Sequence, residues 1–216
     1  MEMYQTEEQQ VEALKRWWQE NSTSAITGVV LGTALIMGYN AWREHQQHMS
    51  EQASGYYQQM VKAMDAKQTE SADRLSERII QEYGSTAYGA FARLAQAKLK
   101  VDAGDAPAAR RMLEGLLASS AEDKYKHVAR LRLGQVLLES NDAKAALDLV
   151  EQQAKAGGFA SYERNYELLK GDIYSALNRP TDALAAYQAA QRLGAASALL
   201  EMKLDELGGN QGPAHP

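Results

Sequence analysis

Cysteine is absent from the chain, which excludes a disulfide scaffold, a thiolate metal centre and a cysteine nucleophile together. That absence is compatible with an oxidising or a reducing compartment. Proline is scarce, with 4 in 216 residues. Few breakers beside abundant alanine point to an all-α chain. An excess of positive charge is also lacking: 23 Lys and Arg stand against 28 Asp and Glu, a net charge of −5. Nucleic-acid binding needs clustered cations to neutralise phosphates. No basic stripe with interleaved aromatics is read in the sequence, so nucleic acid is not expected as a partner. There is no Gly-rich phosphate loop, nucleophile elbow or metalloprotease helix motif,. His45 and His48 share a helix face with Glu44 or Glu51 nearby, but no further ligand follows, and a solvated helix is the plainer reading. His127 and His215 stand alone. No catalytic residue, metal or cofactor is expected.

A long uncharged run is what the sequence does have. From Asn21 to Trp42 there is no charged side chain, and Glu20 and Arg43 close the run. Its length matches the roughly 20 residues a helix needs to cross hydrocarbon. Trp17 and Trp18 precede it; Tyr39 and Trp42 end it, and amphipathic rings favour both membrane interfaces. A buried core helix is the competing reading. A cleaved signal peptide fits less well, because polar and partly acidic residues come first. The expected organisation is a tail over 1–21, a transmembrane helix over 22–42, a helical repeat domain over 43–207 and a disordered tail over 208–216. Lys15 and Arg16 precede the span and Arg43 alone follows closely, so the positive-inside bias puts the N-terminus in the cytoplasm. Gly28 and Gly32 form a GxxxG, through which a second membrane helix can approach. A chance pair in a small-residue-rich span is the alternative.

Beyond the span a period appears. Ala72, Ala109, Ala146 and Ala183 recur every 37 residues. Ala97, Gly134 and Gly171 keep the same spacing, as do Leu113, Val150 and Tyr187. Polar turns precede the alanines at Ala103-Gly104-Asp105, Ser140-Asn141-Asp142 and Asn178-Arg179-Pro180. A small residue on one helix and another twelve places on mark where two antiparallel helices cross closely. The turn between them supplies the reversal. One pair cannot bury its apolar face, whereas stacked pairs can. These residues resemble the tetratricopeptide repeat, with Gly134/Ala146 and Gly171/Ala183 matching best. The family's aromatic near the repeat start is replaced by Arg93, Arg130 and Glu167. The expected fold is all-α: one N-terminal transmembrane helix, then an α-solenoid of degenerate helix pairs. Its first unit is near 53–85 and a capping helix lies over 195–207.

The N-terminal residues add a second resemblance. A Met-Glu-x-Tyr start, the run Gln10 to Arg16, Trp17-Trp18, Glu20-Asn21 and Gly28-Val29-Val30-Leu31-Gly32 resemble the YfgM family. That resemblance implies an inner-membrane protein of Gram-negative bacteria with a cytoplasmic N-terminus and a periplasmic C-terminal domain. It implies an ancillary partner of the SecYEG translocon, associated with the periplasmic chaperone PpiD, that helps pass exported chains to periplasmic chaperones.

The first helix of each tetratricopeptide pair lines the concave face. By that resemblance the groove positions are Phe91, Leu94, Lys98 and Val101, then Val128, Leu131, Gln135 and Leu138. They are mostly apolar, which suits unfolded exported chains or a partner helix; interior core is the alternative. Membrane lipid is the remaining expected partner. A structural scaffold that binds no client, and a regulator acting through Val11, Leu14 and Trp18 on one face of the cytoplasmic tail, stay open as other functions. A membrane-bound enzyme is more distant.

Overall fold

The computed structural model describes residues 7–209. The Met-Glu-x-Tyr start, the rest of the expected C-terminal tail from residue 210, and His215 lie outside the described residues. Helix α1 (Glu7–Asp65) is followed by α2 (Thr69–Glu82), α3 (Ala87–Asp102), α4 (Ala106–Leu117), α5 (Asp123–Glu139) and α6 (Ala143–Ala156). A 3-10 turn at Ala160–Tyr162 leads to α7 (Glu163–Ala176), α8 (Pro180–Arg192) and α9 (Ala198–Gly209). No strand occurs among the described residues. The chain divides into two compact units, Met1–Met49 and Ser50–Pro216.

In the first unit, every large apolar side chain from Val11 to Trp42 is more than half exposed. This rules out a helix buried in this chain's own core. So much apolar surface is costly in water, at about 25 cal/mol per Å², and costs nothing in hydrocarbon. The polar residues of the span fit the same environment. The Thr27 hydroxyl donates to the Thr23 carbonyl at 2.7 Å and the Thr33 hydroxyl to the Val29 carbonyl at 2.8 Å. Their hydrogen bonds stay inside the helix, as a medium without water requires. Among the described residues this is the one helix long and apolar enough to cross a membrane.

The second unit is a stack of helix hairpins. α3 packs against α4, α5 against α6 and α7 against α8; the end of α1 meets α2 where Arg78 lies over the Tyr56 ring and the Tyr83 hydroxyl donates to Gln52. Each hairpin turns on one left-handed residue: Lys67, Gly104, Asn141 and Asn178, with φ of 56°, 76°, 59° and 56°. These too are 37 residues apart. At each turn the following amide reaches back to close the helix end: Gln68 to Ala63, Asp105 to Lys100, Asp142 to Leu137 and Arg179 to Tyr174, each at 2.8 Å,. Asp105 and Asp142 then cap the next helix, accepting from the Ala108 and Ala145 amides at 3.0 and 3.2 Å,. The repeated turn over Lys67 shows that the weakest unit in sequence is a true first repeat.

Ala72, Ala109, Ala146 and Ala183 are each 0% exposed. The glycines on the first helices work differently from the close backbone approach expected of them. A methyl at Gly134 would lie 2.6 Å from the Leu169 side chain of α7, and one at Gly171 would fall on the Tyr187 ring. Each glycine is thus a socket for a side chain. α9 runs two residues past the expected end at Leu207 and packs Leu200 and Leu204 against Tyr187 and Ala190.

Candidate functional site

The successive first helices α3, α5 and α7 present equivalent positions in series. Leu94 is buried in the core with Ala90, Ala97 and Leu133. Phe91, Val101, Val128, Leu131 and Leu138 are half-buried, while Lys98 and Gln135 are exposed. A cavity of about 300 Å³ brings Lys98 and Val101 of α3 together with Gln135 of α5, beside Arg132 and Glu139. A second, of about 230 Å³, joins Leu131 and Gln135 to Asn165, Leu168 and Asp172 of α7 and to Leu199 and Lys203 of α9. Lys98 is paired along its own helix, its Nζ 2.9 Å from Asp102.

Phe91 belongs to a different feature. Its ring lies 5.7 Å from Tyr57, 6.0 Å from Tyr88 and 5.2 Å from Tyr125, forming a row of half-exposed aromatics across three hairpins. Tyr88, Tyr125 and Tyr162 are themselves 37 residues apart. That signal is present in the sequence, five residues ahead of Arg93, Arg130 and Glu167, which stand where the family's aromatic is expected. The row continues as His127 stacks on Tyr162 at 5.0 Å.

Three polar knots tie neighbouring helices. Asp73 of α2 accepts from Gln96 at 3.1 Å and from Lys100 at 2.6 Å. Burial pushes its carboxyl up, but hydrogen bonds from Lys100 and Gln96 outweigh this and hold it below the usual range. The Tyr187 hydroxyl donates to Asp172 at 2.6 Å, and Lys203 of α9 donates to the same carboxylate. Burial, then the bond to Asp172, pushes the Tyr187 phenol up. His127 is 7% exposed, with Nδ1 at 3.0 Å from the Tyr166 hydroxyl. Burial, then the charge of Arg130, pushes its imidazole down against the opposing pull of Asp123.

The face of Gly28 and Gly32 is open: a methyl at either would meet nothing within 4 Å. His48 lies 3.8 Å from Glu44 in an exposed pair. No group of three or more His, Cys, Asp or Glu able to hold a metal converges among the described residues. The arrangement along the first helices offers apolar, aromatic and hydrogen-bonding surface suited to binding.

Similarity to known proteins agrees with this architecture. The chain is 36% identical over 93 residues to the ancillary SecYEG translocon subunit of Haemophilus influenzae, covering 43% of this chain and 45% of that one. It is 37% identical over 102 residues to the protein of that name from Escherichia coli K12, covering 47% and 48%. For the protein of that name from Aggregatibacter actinomycetemcomitans the figures are 30% over 96 residues, 44% and 47%. The chain thus spans about half the length of the curated relatives it matches, and these matches bear out the resemblance to the YfgM family. In structure it is similar to MamA 41-end from Desulfovibrio magneticus RS-1, with a TM-score of 0.57 at 18% identity over 74% of this chain and 85% of that one; this likeness speaks for the fold. Residues 15–209 match the family model described as a tetratricopeptide repeat-like domain, the fold built by the four alanine-centred hairpins, and the chain therefore belongs to the tetratricopeptide repeat-like domain family.

Proposed function

We propose that this chain is a membrane-anchored protein-interaction module that serves the SecYEG translocon as an ancillary subunit. Residues 1–21 lie in the cytoplasm, 22–42 cross the inner membrane and 43–207 form the periplasmic repeat domain. The first-helix face receives apolar segments of exported chains and passes them toward periplasmic chaperones, with PpiD as the associated chaperone. The reading rests on one observation above all. The half-exposed apolar side chains Val101 and Leu131 line cavities on α3 and α5, in a chain similar to proteins named ancillary SecYEG translocon subunit. Lys15 and Arg16 before the span support the orientation,. The open face of Gly28 and Gly32 supports a membrane contact there,.

Affinity capture of the full chain from inner membranes in mild detergent tests the partner. Recovery of SecY, SecE and SecG in stoichiometric proportion is expected. Their absence, with the chain itself intact and membrane-bound, contradicts the proposal.

A further inference from the structure

The start of α5 is the most basic stretch of an acidic chain: Lys124, Lys126, His127, Arg130 and Arg132 fall within nine residues. Four of these five line one cavity of about 450 Å³. Its other walls are the end of α6, at Gln153 to Gly157, and the 3-10 turn, at Ala160 to Tyr162. Two features set this cavity apart from a solvated charged face. Ala160, on its wall, holds a φ of 47°, a left-handed conformation that a residue with a Cβ adopts at a cost. Among the described residues, neither Lys126 nor Arg130 makes an ion pair with a carboxylate.

The charge count selects the ligand. Lys124 is neutralised by Glu122 at 2.9 Å. His127 is held neutral near pH 7 by burial and by Arg130. Lys126 and Arg130 then face the single carboxylate of Asp123, leaving one uncompensated positive charge. One monoanion balances that; a dianionic phosphate overshoots it. A guanidinium matches the two oxygens of a carboxylate with parallel hydrogen bonds, and Ser161 and Tyr162 also line the wall. The cavity also adjoins the aromatic row: Lys124 sits 4.8 Å over the Tyr125 ring and His127 stacks on Tyr162.

We propose that this cavity is a carboxylate subsite that takes an aspartate or glutamate side chain of a polypeptide lying on the first-helix face, with Arg130 and Lys126 as its cationic contacts. The inference rests on the reading of that face as polypeptide-binding. It makes the recognised segment apolar with an acidic residue beside it, rather than apolar alone.

The test uses the full chain in detergent micelles and two dye-labelled, end-blocked peptides, one of alternating Leu and Glu and one of alternating Leu and Gln. Binding is read by fluorescence anisotropy at low salt. The Glu peptide is expected to bind about tenfold more tightly, the worth of one charged hydrogen bond. That preference should fall several-fold in Lys126→Gln and in Arg130→Gln, and persist in Lys144→Gln, which changes an exposed cation of α6 that lines neither this cavity nor the one at Val101. Because Arg130 also lies against Tyr166, Lys126→Gln guards against a loss of fold. A preference that survives in both variants overturns the subsite. Equal binding of the two peptides overturns the subsite while leaving the polypeptide reading intact, and binding of neither overturns both. Inorganic phosphate displacing the Glu peptide better than acetate at equal concentration overturns the carboxylate assignment.

Discussion

Ala183 shows what the period requires of single residues. It is fully buried between α7 and α8, whereas Ala185, two places on, is exposed. Ala183→Leu and Ala146→Leu are each expected to cost about 1–3 kcal/mol by overpacking. That lowers the melting temperature of the full chain in detergent by roughly 2–12 °C; Ala185→Leu should change it little. Ala145 is a poorer control, because it is half-buried against the core. If Ala183→Leu and Ala185→Leu melt alike, the alanine spacing carries no packing role. The Gly171 socket gives a sharper test. Gly171→Ala places a methyl on the Tyr187 ring and should destabilise by about 1–3 kcal/mol. In a Tyr187→Leu background the same change should cost little, giving a coupling of about 1 kcal/mol or more; additive effects would contradict the socket. His127 sets a pH dependence. Its folded pKa lies below the ordinary 6.5, so the unfolded chain takes up the proton first as pH falls. Its contribution is therefore intact above 6.5 and is lost as pH drops from there through the folded value. Denaturation midpoints measured from about pH 7.5 to about pH 5 should fall for the native chain and fall less for His127→Gln; parallel curves would place the titrating group elsewhere.

At the scale of elements, the uncharged span and the hairpins were legible because each follows one strong local rule. The span needs length without charge, and its aromatic flanks mark the interfaces. The hairpins need a small residue twelve places before an alanine, with a turn between them. The aromatic row was missed although Tyr88, Tyr125 and Tyr162 keep the period. It runs between hairpins, and the neighbour across a repeat joint is set by stacking rather than by adjacent sequence. The basic cavity escaped for a related reason. Lys124 to Arg130 match no motif in the sequence, and only the return of α6 and the left-handed Ala160 close a wall over them. The small residue leaves space as its spacing implies, but the occupant is a side chain: Gly134 serves Leu169 of the next hairpin, which no spacing within one repeat announces. The membrane helix carries its own prediction. Gly28→Leu with Gly32→Leu raises hydrophobicity, so insertion should be preserved, while bulky side chains on the open face keep a partner helix at a distance. Recovery of SecYEG in mild detergent should drop several-fold, and unchanged recovery would assign the association to another surface.

For the whole molecule, the proposed arrangement joins a membrane anchor to a binding solenoid so that the solenoid meets chains where they emerge. The orientation is the first requirement. A reporter active only in the periplasm should be active when fused after Pro216 and inactive before Met1, because Lys15 and Arg16 precede the span,; the reverse pattern would contradict the orientation. The solenoid must then engage clients through its first helices and not through its second ones. Site-specific photo-crosslinking during export measures this most directly, with the reactive side chain placed at Val101 or Leu131 on α3 and α5, or at the exposed Gln152 or Gln188 on α6 and α8. The account predicts adducts with the exporting chain from Val101 and Leu131 and none from Gln152 and Gln188. Equal adducts from both faces, or none from Val101 and Leu131 while SecYEG is still captured, would contradict it.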